Sequence, residues 1–285
     1  MNPEKIAILV DSGSDVPPEL LQKYHMYVVP LQIHFSHGNY LDGVDITPQQ
    51  VYEGLEHEIP KTSLPSGEQV QTILEQIAAD GYEKVFAVCI SSGLSGTFNM
   101  VRLVAEDFPG LTTFILDTRN ISIGSGMLAI QAARLIEEGM GWEELCQVMP
   151  QYVEKSKVFF CLRTLEYLQK GGRIGKVAAA VGTAIALKPI ITCNEEGVYV
   201  VASKAIGHKA AVKKVLQMAQ NFSQNGKQAL VAVMHTNAAE ECAALLREVQ
   251  ALLPHGQFVV QCGQISPALG VHTGPGLLGI GICLL

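Results

Sequence analysis

The chain has 285 residues, of which 48% are hydrophobic and only 6% aromatic, and its formal net charge at pH 7 is −7. That length accommodates two ordinary domains with well-developed cores. The negative charge argues against binding to nucleic acid or to an anionic membrane surface, because both attract proteins that carry a basic field, so a small-molecule or protein partner is expected.

Strands and helices alternate through the first half of the chain. An apolar strand, 5–11, is followed by a short helix and a second strand, 26–35, and helices begin at Thr47-Pro48 and at the capping box Ser66-Gly67-Glu68-Gln69. The pattern continues with strand 84–91, helix 97–107, strand 111–117 and helix 122–138. This β-α-β repetition predicts a mostly parallel, doubly wound sheet in an N-terminal α/β domain, residues 1–160.

A β-hairpin distinguishes the second half. Two apolar runs, 189–194 and 198–203, flank the turn signal Glu195-Glu196-Gly197. The remaining predicted elements are helices 208–223 and 238–253 and strands 229–235, 257–264 and 277–284. We therefore predict a C-terminal α/β domain with a mixed sheet, residues 161–285.

The cysteines and the apolar segments bear on the cellular compartment. The seven cysteines form no Cys-x-x-Cys pair and several lie in apolar runs, so they are predicted to be reduced core residues of a cytoplasmic protein. The N-terminus shows no signal-peptide pattern. The longest strongly apolar segment, 177–187, is shorter than the roughly 18 residues that span a bilayer, so no stable membrane insertion is expected.

Two hydroxyl-rich segments are the first candidates for a binding site. Pro60–Ser66 and Ser91–Thr97 each precede a predicted helix, where free backbone N–H groups and the helix dipole favour an anion. Ser66 is explained as a helix cap, whereas Thr62 lies in a predicted loop upstream of that cap. The second segment follows a buried strand, where open α/β sheets bind ligands. The sequence therefore predicts a site for a carboxylate or a phosphate.

The segment around Ser95 also admits a catalytic interpretation. Gly93-Leu94-Ser95-Gly96-Thr97 resembles the nucleophile elbow Gly-x-Ser-x-Gly except at its fifth residue, Thr97. Ser95, Asp117 and His272 also follow one another in the order of a hydrolase triad. The alternative function is thus a serine esterase or hydrolase.

Two further segments contribute candidate ligands. Gly171–Lys176 is rich in glycine but departs from the Walker A motif at two positions, which leaves a helix end or a turn that presents Arg173 to an anion. His272 lies in a predicted glycine-rich loop before the last strand, where backbone can approach a ligand closely. The other histidines show no metal-binding arrangement, and no metal is expected.

Taken together in their order and spacing, six segments resemble the DegV family from one end of the chain to the other. They are Asp11–Asp15, Pro60–Ser66, Ser91–Thr97, Leu165–Ile174, Lys188–Ile190 and His272–Gly276. The resemblance implies a two-domain α/β protein that is not an enzyme, needs no cofactor, and binds a long-chain fatty acid such as palmitate. The carboxylate would lie between the domains and the acyl tail in an apolar tunnel, with 177–191 and 277–284 as candidate walls.

The resemblance also implies roles for particular residues. Thr62 and Ser95 are the expected ligands of the fatty acid carboxylate. Ser92, Gly96, Arg173 and His272 are expected as further members of the site.

A protein partner is implied as well. Some members of the family present the acyl carboxylate to an ATP-dependent fatty acid kinase and carry the acyl-phosphate to phospholipid synthesis. Kinase-coupled members have Lys-x-Arg after the hairpin, whereas this chain has Lys204-Ala205-Ile206. With Ile206 in the arginine's place, the sequence leaves kinase coupling open.

Overall fold

The computed structural model describes residues 2–181, 187–226, 228–252 and 262–285. The strands are β1 Ile6–Asp11, β2 Tyr27–Val29, β3 Gln32–Phe35, β4 Gly38–Leu41, β5 Lys61–Ser63, β6 Lys84–Cys89, β7 Thr112–Asp117, β8 Ser156–Cys161, β9 Leu187–Cys193, β10 Tyr199–Ile206, β11 Ala229–His235, β12 Cys262–Gln264 and β13 Leu278–Leu284. The helices are α1 Pro18–Lys23, α2 Pro48–Gly54, α3 Gly67–Ala79, α4 Thr97–Glu106, α5 Ile123–Glu137, α6 Trp142–Tyr152, α7 Glu166–Lys170, α8 Val177–Val181, α9 His208–Ser223, α10 Ala239–Leu252 and α11 Pro267–Thr273.

The first sheet has the strand order β2-β1-β6-β7, and all of its neighbours are parallel. Successive side chains of a strand point to opposite faces. On β1, Ile8 and Val10 accordingly pack with α5, whereas Ala7 and Leu9 pack with α3 and α4. Burial on both faces explains why these strands are continuous apolar runs. The predicted parallel, doubly wound sheet is confirmed.

The second sheet is mixed, as predicted. Its order is β10-β9-β8-β13-β11-β12, with one parallel pair, β11 and β12, and antiparallel pairs elsewhere. The hairpin of β9 and β10 forms one edge. The domain boundary at residue 160 stays a prediction; β8, which contains it, is a strand of this second sheet.

Helix α5 lies between the two sheets and brings them together. It contacts β1 and β6 of the first sheet and β8, β11 and β13 of the second. Its residues from Ile123 to Ala133 are all buried, which is the pattern of a helix with apolar neighbours on every side. On β13, Gly281 allows this close approach, because a Cβ there would lie 2.5 Å from Ile123 Cγ2.

A small antiparallel sheet, β4-β3-β5, corrects the prediction of one strand over 26–35. The segment forms two strands, because β2 pairs with β1 while β3 pairs with β4 and β5. Pro30, which has no backbone N–H to donate, lies between them where the chain passes from one sheet to the other. The same small sheet places Thr62 in β5 rather than in a loop.

The prediction that all cysteines are reduced is wrong for one pair. Cys242 on α10 and Cys262 on β12 are joined by a disulfide bond. They are 20 residues apart, and the pairing of β12 beside β11 brings Cys262 under α10. The first part of the predicted strand 257–264, up to residue 261, lies outside the described residues. Within the described ranges, no helix is long and apolar enough to cross a bilayer.

Candidate functional site

An apolar cavity lies against the second sheet and the small sheet and has a polar end. Thr62, Ser95, Arg173 and His272 line that end. The apolar lining includes Leu31, Ile90, Ile121, Ile123, Val158, Phe160, Met234, Ile265, Leu269 and Leu277. Four of the six residues predicted as carboxylate ligands, from four separate segments, therefore meet at one cavity.

Thr62 and His272 form the centre of the polar end. The Thr62 hydroxyl oxygen lies 2.7 Å from Nε2 of His272. His272 lies in the last turn of α11, and not in a loop as predicted. Helix α11 begins at Pro267, a residue type that suits the first helical position. Ser266 caps this end, since its hydroxyl accepts from the Leu269 N–H at 3.5 Å.

Ser95 precedes α4, whose N-cap is Gly96 without a side-chain cap. The Ser95 hydroxyl oxygen accepts a hydrogen bond from the Thr97 N–H at 3.3 Å and lies 2.8 Å from the Thr97 hydroxyl. The N-terminus of a helix carries partial positive charge from unpaired N–H groups. Ser95 thus stands where a hydroxyl and a helix end can both face an anion.

Arg173 supplies the cationic group of this end. Its Nη1 donates to the Gly171 carbonyl at 2.8 Å, and its Nε donates to the Leu94 carbonyl at 3.4 Å. Burial, together with a smaller effect of the charge of Arg173, lowers the pKa of His272 to about 4. At neutral pH the site therefore combines one permanent cation with an uncharged imidazole.

The loop that carries Ser95 is braced against the β9–β10 hairpin. The buried Ser91 hydroxyl donates to the Gly197 carbonyl at 2.7 Å. Gly197 has φ +73°, and a Cβ there would lie 1.9 Å from the Ser91 Oγ, so only glycine fits. The hairpin turn thereby fixes the loop before α4.

Three carboxyl groups hold α11 and the end of β6 in place. Asp15 Oδ1 accepts from the Ser266 N–H at 2.8 Å, and Asp42 Oδ1 accepts from the Ala268 N–H at 2.9 Å. Asp11 Oδ2 accepts from the Ile90 N–H at 2.8 Å. Burial raises the pKa of Asp11 to about 7 and that of Asp15 to about 8, and it also raises the pKa of Asp42.

Two predicted ligands lie outside the cavity lining. Ser92 is exposed and its hydroxyl donates to Asp117 Oδ2 at 2.5 Å. Gly96 is exposed at the start of α4. The ligand roles of Ser92 and Gly96 stay predictions, as do those of the four predicted ligands that line the cavity. Three serine and threonine residues that were not singled out as ligands also line the cavity: Ser63, Ser122 and Thr273.

The missed hydroxyls already have intramolecular partners. Ser63 Oγ lies 2.8 Å from His34 Nε2, the Ser122 hydroxyl donates to Asp15, and Thr273 Oγ1 donates to the Leu269 carbonyl at 3.0 Å. Ser63 belongs to a segment that the sequence marks, but nothing around Ser122 indicates a site.

One of the two predicted tunnel walls contributes to the cavity lining. The 277–284 segment contributes Leu277, Gly279, Ile280 and Gly281 to the lining. Residues 182–186 of the other predicted wall, 177–191, lie outside the described residues.

The three residues of the hydrolase hypothesis each have a different partner. Ser95 bonds to Thr97, His272 bonds through Nε2 to Thr62, and Asp117 accepts from Ser92. Nδ1 of His272 is buried and lacks a hydrogen-bond partner among the described residues. A catalytic histidine needs an acid at that nitrogen and the nucleophile at the other, so this arrangement does not assemble a triad.

One group of potential metal ligands lies apart from the cavity's polar end. His235, Cys242 and Cys262 offer ligand atoms within 4.8 Å of one another. The two sulfur atoms are bonded to each other, and Nδ1 of His235 accepts from the Ala238 N–H at 3.2 Å. These atoms are therefore already engaged within the protein.

Comparisons with known proteins give a consistent result along the whole chain. The model of a family described as uncharacterised protein, DegV family, matches residues 5–284. A DegV domain-containing protein of Clostridium acetobutylicum is 41% identical over 97% of this chain and 98% of its own. One from Clostridium perfringens is 38% identical over 98% of both chains.

Solved structures agree with this result. A DegV family protein from Thermus thermophilus, described by its fatty acid binding, has a TM-score of 0.91 and 31% identity over 100% of both chains. DegV of Bacillus subtilis, a fatty acid binding protein, has a TM-score of 0.90 and 27% identity, also over 100% of both. A stearic acid-binding protein from Eubacterium ventriosum has a TM-score of 0.89 and 29% identity over 98% of both.

Proposed function

The chain belongs to the DegV family, and we propose that it binds one long-chain fatty acid, with the carboxylate against Thr62 and Ser95 and the acyl tail in the apolar cavity. One observation carries this proposal. Two hydroxyls, a guanidinium and a histidine line the end of a cavity whose remaining wall is mostly aliphatic. A fatty acid has the same division into an anionic head and a hydrocarbon tail.

The charges of the polar end suit a carboxylate. Arg173 provides a positive charge, and hydrogen bonds that involve an ionised partner are about twice as strong as neutral ones. His272 is uncharged at neutral pH because its pKa is lowered to about 4. Thr62 and Ser95 offer hydroxyls that can donate to the two carboxylate oxygens.

The tail is expected to dominate the affinity. Each charge-assisted hydrogen bond contributes about 1.5–3 kcal/mol, which binds a short acid such as acetate poorly. Burying about fifteen methylenes at roughly 0.8 kcal/mol each contributes on the order of 12 kcal/mol before the costs of association. In this proposal, the hydroxyls orient the head and the apolar wall supplies the binding energy.

Extraction of the purified protein with organic solvent, followed by mass spectrometry, tests the proposal. We expect about one fatty acid per chain, or uptake of added palmitate or oleate by the delipidated protein. The double variant Thr62→Val/Ser95→Ala should bind palmitate at least tenfold more weakly while remaining folded. Thr112→Val/Ser223→Ala, whose residues do not line the cavity, is the matched control and should bind normally.

Two results would contradict this assignment. A protein without bound lipid that also takes up no palmitate would refute fatty acid binding. An unchanged affinity in the Thr62 and Ser95 variant would refute the position of the head group. Labelling of Ser95 by a fluorophosphonate probe would instead favour the hydrolase alternative.

Presentation of the bound fatty acid to a kinase is a separate part of the proposal. Ile206 is the last residue of β10 and 77% exposed, so it is accessible to a partner. Incubation with a fatty acid kinase, ATP and oleate should yield acyl-phosphate if the chain is a kinase-coupled carrier. If Ile206→Arg forms acyl-phosphate and the natural chain does not, the chain as it stands is not coupled to that kinase.

A further inference from the structure

The cavity with the polar end, here called the site cavity, adjoins a second cavity. Three side chains line both: Ile123, Met234 and Ile265. We call these three residues the neck. They come from three different elements, since Ile123 begins α5, Met234 lies in β11 and Ile265 follows β12. Their relative exposures are 2%, 5% and 3%, so the neck lies in the protein interior.

The two cavities differ in size. The site cavity has a volume of about 80 Å³, and the second cavity has a volume of about 460 Å³. Pockets that enclose organic ligands generally measure about 300–1,000 Å³. The site cavity alone falls below that range, whereas the second cavity lies within it. A long acyl chain whose head lies at Thr62 therefore needs the second volume.

The wall of the second cavity can accept hydrocarbon. Most of its lining is apolar, and Leu21, Val28, Met127, Ile130 and Leu230 contribute to it from four different elements. Burial of methylenes against such side chains is favourable, because it removes apolar surface from water. The polar lining includes the carboxyl groups of Asp11, Asp15 and Asp42; Asp42 accepts from the Ser12 hydroxyl at 2.6 Å, and Asp15 accepts from the Ser266 N–H.

The neck includes one side chain that can adjust to a passing chain. Met234 is an unbranched thioether with three rotatable bonds, and such side chains adapt readily to irregular neighbours. Ile123 packs over Gly281, where a Cβ would come within 2.5 Å of its Cγ2. A larger residue at 281 would press Ile123 into the neck.

We propose that the acyl chain passes through the neck and that its methyl end lies in the second cavity, so that this cavity selects long acyl chains over medium ones. The inference rests on the proposed function, because it assumes that the head lies at Thr62 and Ser95. Carbons near the head touch only the site cavity. A chain of about ten carbons therefore places fewer methylenes in the second cavity than a chain of eighteen, and its binding depends less on that cavity.

Filling the second cavity tests this route. Val28→Phe adds bulk from β2, and Leu21→Trp adds it independently from α1; both native residues are half-buried and line only the second cavity. Val200→Phe is the matched control, because Val200 is half-buried on β10, also an edge strand, and lines neither cavity. Dissociation constants for decanoate and stearate are measured on each delipidated full-length chain, and circular dichroism verifies folding.

The two filled variants should lose at least tenfold in stearate affinity and a smaller factor in decanoate affinity, while Val200→Phe changes neither. If a folded Val28→Phe or Leu21→Trp chain keeps the natural ratio of stearate to decanoate affinity, the proposed route is refuted. Failure of the unmodified chain to bind either acid would instead refute the proposed function, so the two failures are distinguishable.

Discussion

His272 is held as a neutral imidazole at the polar end of the cavity. Burial lowers its pKa to about 4, whereas an unfolded histidine titrates near 6.5. Between about pH 4 and 6.5 the unfolded chain thus binds more protons at this position than the folded chain. Stability rises with pH wherever the unfolded state binds more protons. The contribution of His272 is therefore present above about pH 6.5 and is lost as the pH falls toward 4.

Replacing this histidine should change the acid limb of the stability profile. The natural chain should lose up to about 3 kcal/mol of unfolding free energy through His272 between pH 7 and pH 4, since one pKa unit equals about 1.4 kcal/mol. His272→Gln should lose less over that interval, as measured by urea unfolding. His57→Gln, at an exposed position, is the control. Parallel profiles for the natural and His272→Gln chains would contradict this expectation.

At the scale of elements, α11 is held by carboxyl groups from the other end of the chain. Asp15 receives the Ser266 N–H and Asp42 receives the Ala268 N–H. Burial raises the pKa of Asp15 to about 8, whereas an unfolded aspartate titrates near 3.9. The folded chain thus binds the extra proton between about pH 4 and 8. The contribution of Asp15 to the unfolding free energy is fully present below about pH 4 and is lost as the pH rises through 8.

Asp15→Asn should make the unfolding free energy depend less on pH on the alkaline side. The asparagine cannot ionise, and its amide oxygen can still accept from the Ser266 N–H. Between pH 5 and pH 8.5, we expect the natural chain to lose at least about 1.4 kcal/mol more unfolding free energy than the variant, the equivalent of one pKa unit. Denaturant titrations at both pH values measure this difference, with exposed Asp107→Asn as the control. An equal loss in both chains would show that Asp15 is ionised throughout.

The same elements show what sequence can predict. Local signals were sufficient for α2 and α3, whose capping boxes at Thr47 and Ser66 are both formed. They were insufficient for α11, because the glycines around His272 favour a loop although Ser266-Pro267 is a helix start. They also missed β5, whose three residues become a strand only through pairing with β3. Long-range pairing therefore decided the miss at β5, whereas at α11 two local signals conflicted.

At the scale of the whole molecule, the cavity is a product of the arrangement of the two sheets around α5. Thr62 and His272 are 210 residues apart, and Asp15 and Ser266 are 251 residues apart. Sequence indicated the residue types of the polar end, and the family resemblance joined them. The neck carries no sequence signal, because Ile123, Met234 and Ile265 are indistinguishable from ordinary core residues until the elements pack.

Ligand binding should stabilise the entire fold, since residues from both halves of the chain form the wall of the cavity. At a free palmitate concentration of 100 times its dissociation constant, mass action adds about 2.7 kcal/mol. For a chain of this size that corresponds to a rise in melting temperature of about 5–10 °C. Calorimetry with and without palmitate measures the rise. Thr62→Val/Ser95→Ala should show a smaller one, and equal shifts in both proteins would indicate binding elsewhere.

The contact between Thr62 and His272 determines where the hydrogen of the imidazole ring can lie when a ligand binds. A threonine hydroxyl carries a single proton, so the oxygen 2.7 Å from Nε2 cannot donate to the imidazole and to a carboxylate together. Once Thr62 turns its proton to a fatty acid, the hydroxyl becomes an acceptor and Nε2 must hold the ring's hydrogen. His272 is then locked in one tautomer, and the hydrogen bond that Thr62 donates to the head group determines which nitrogen is protonated.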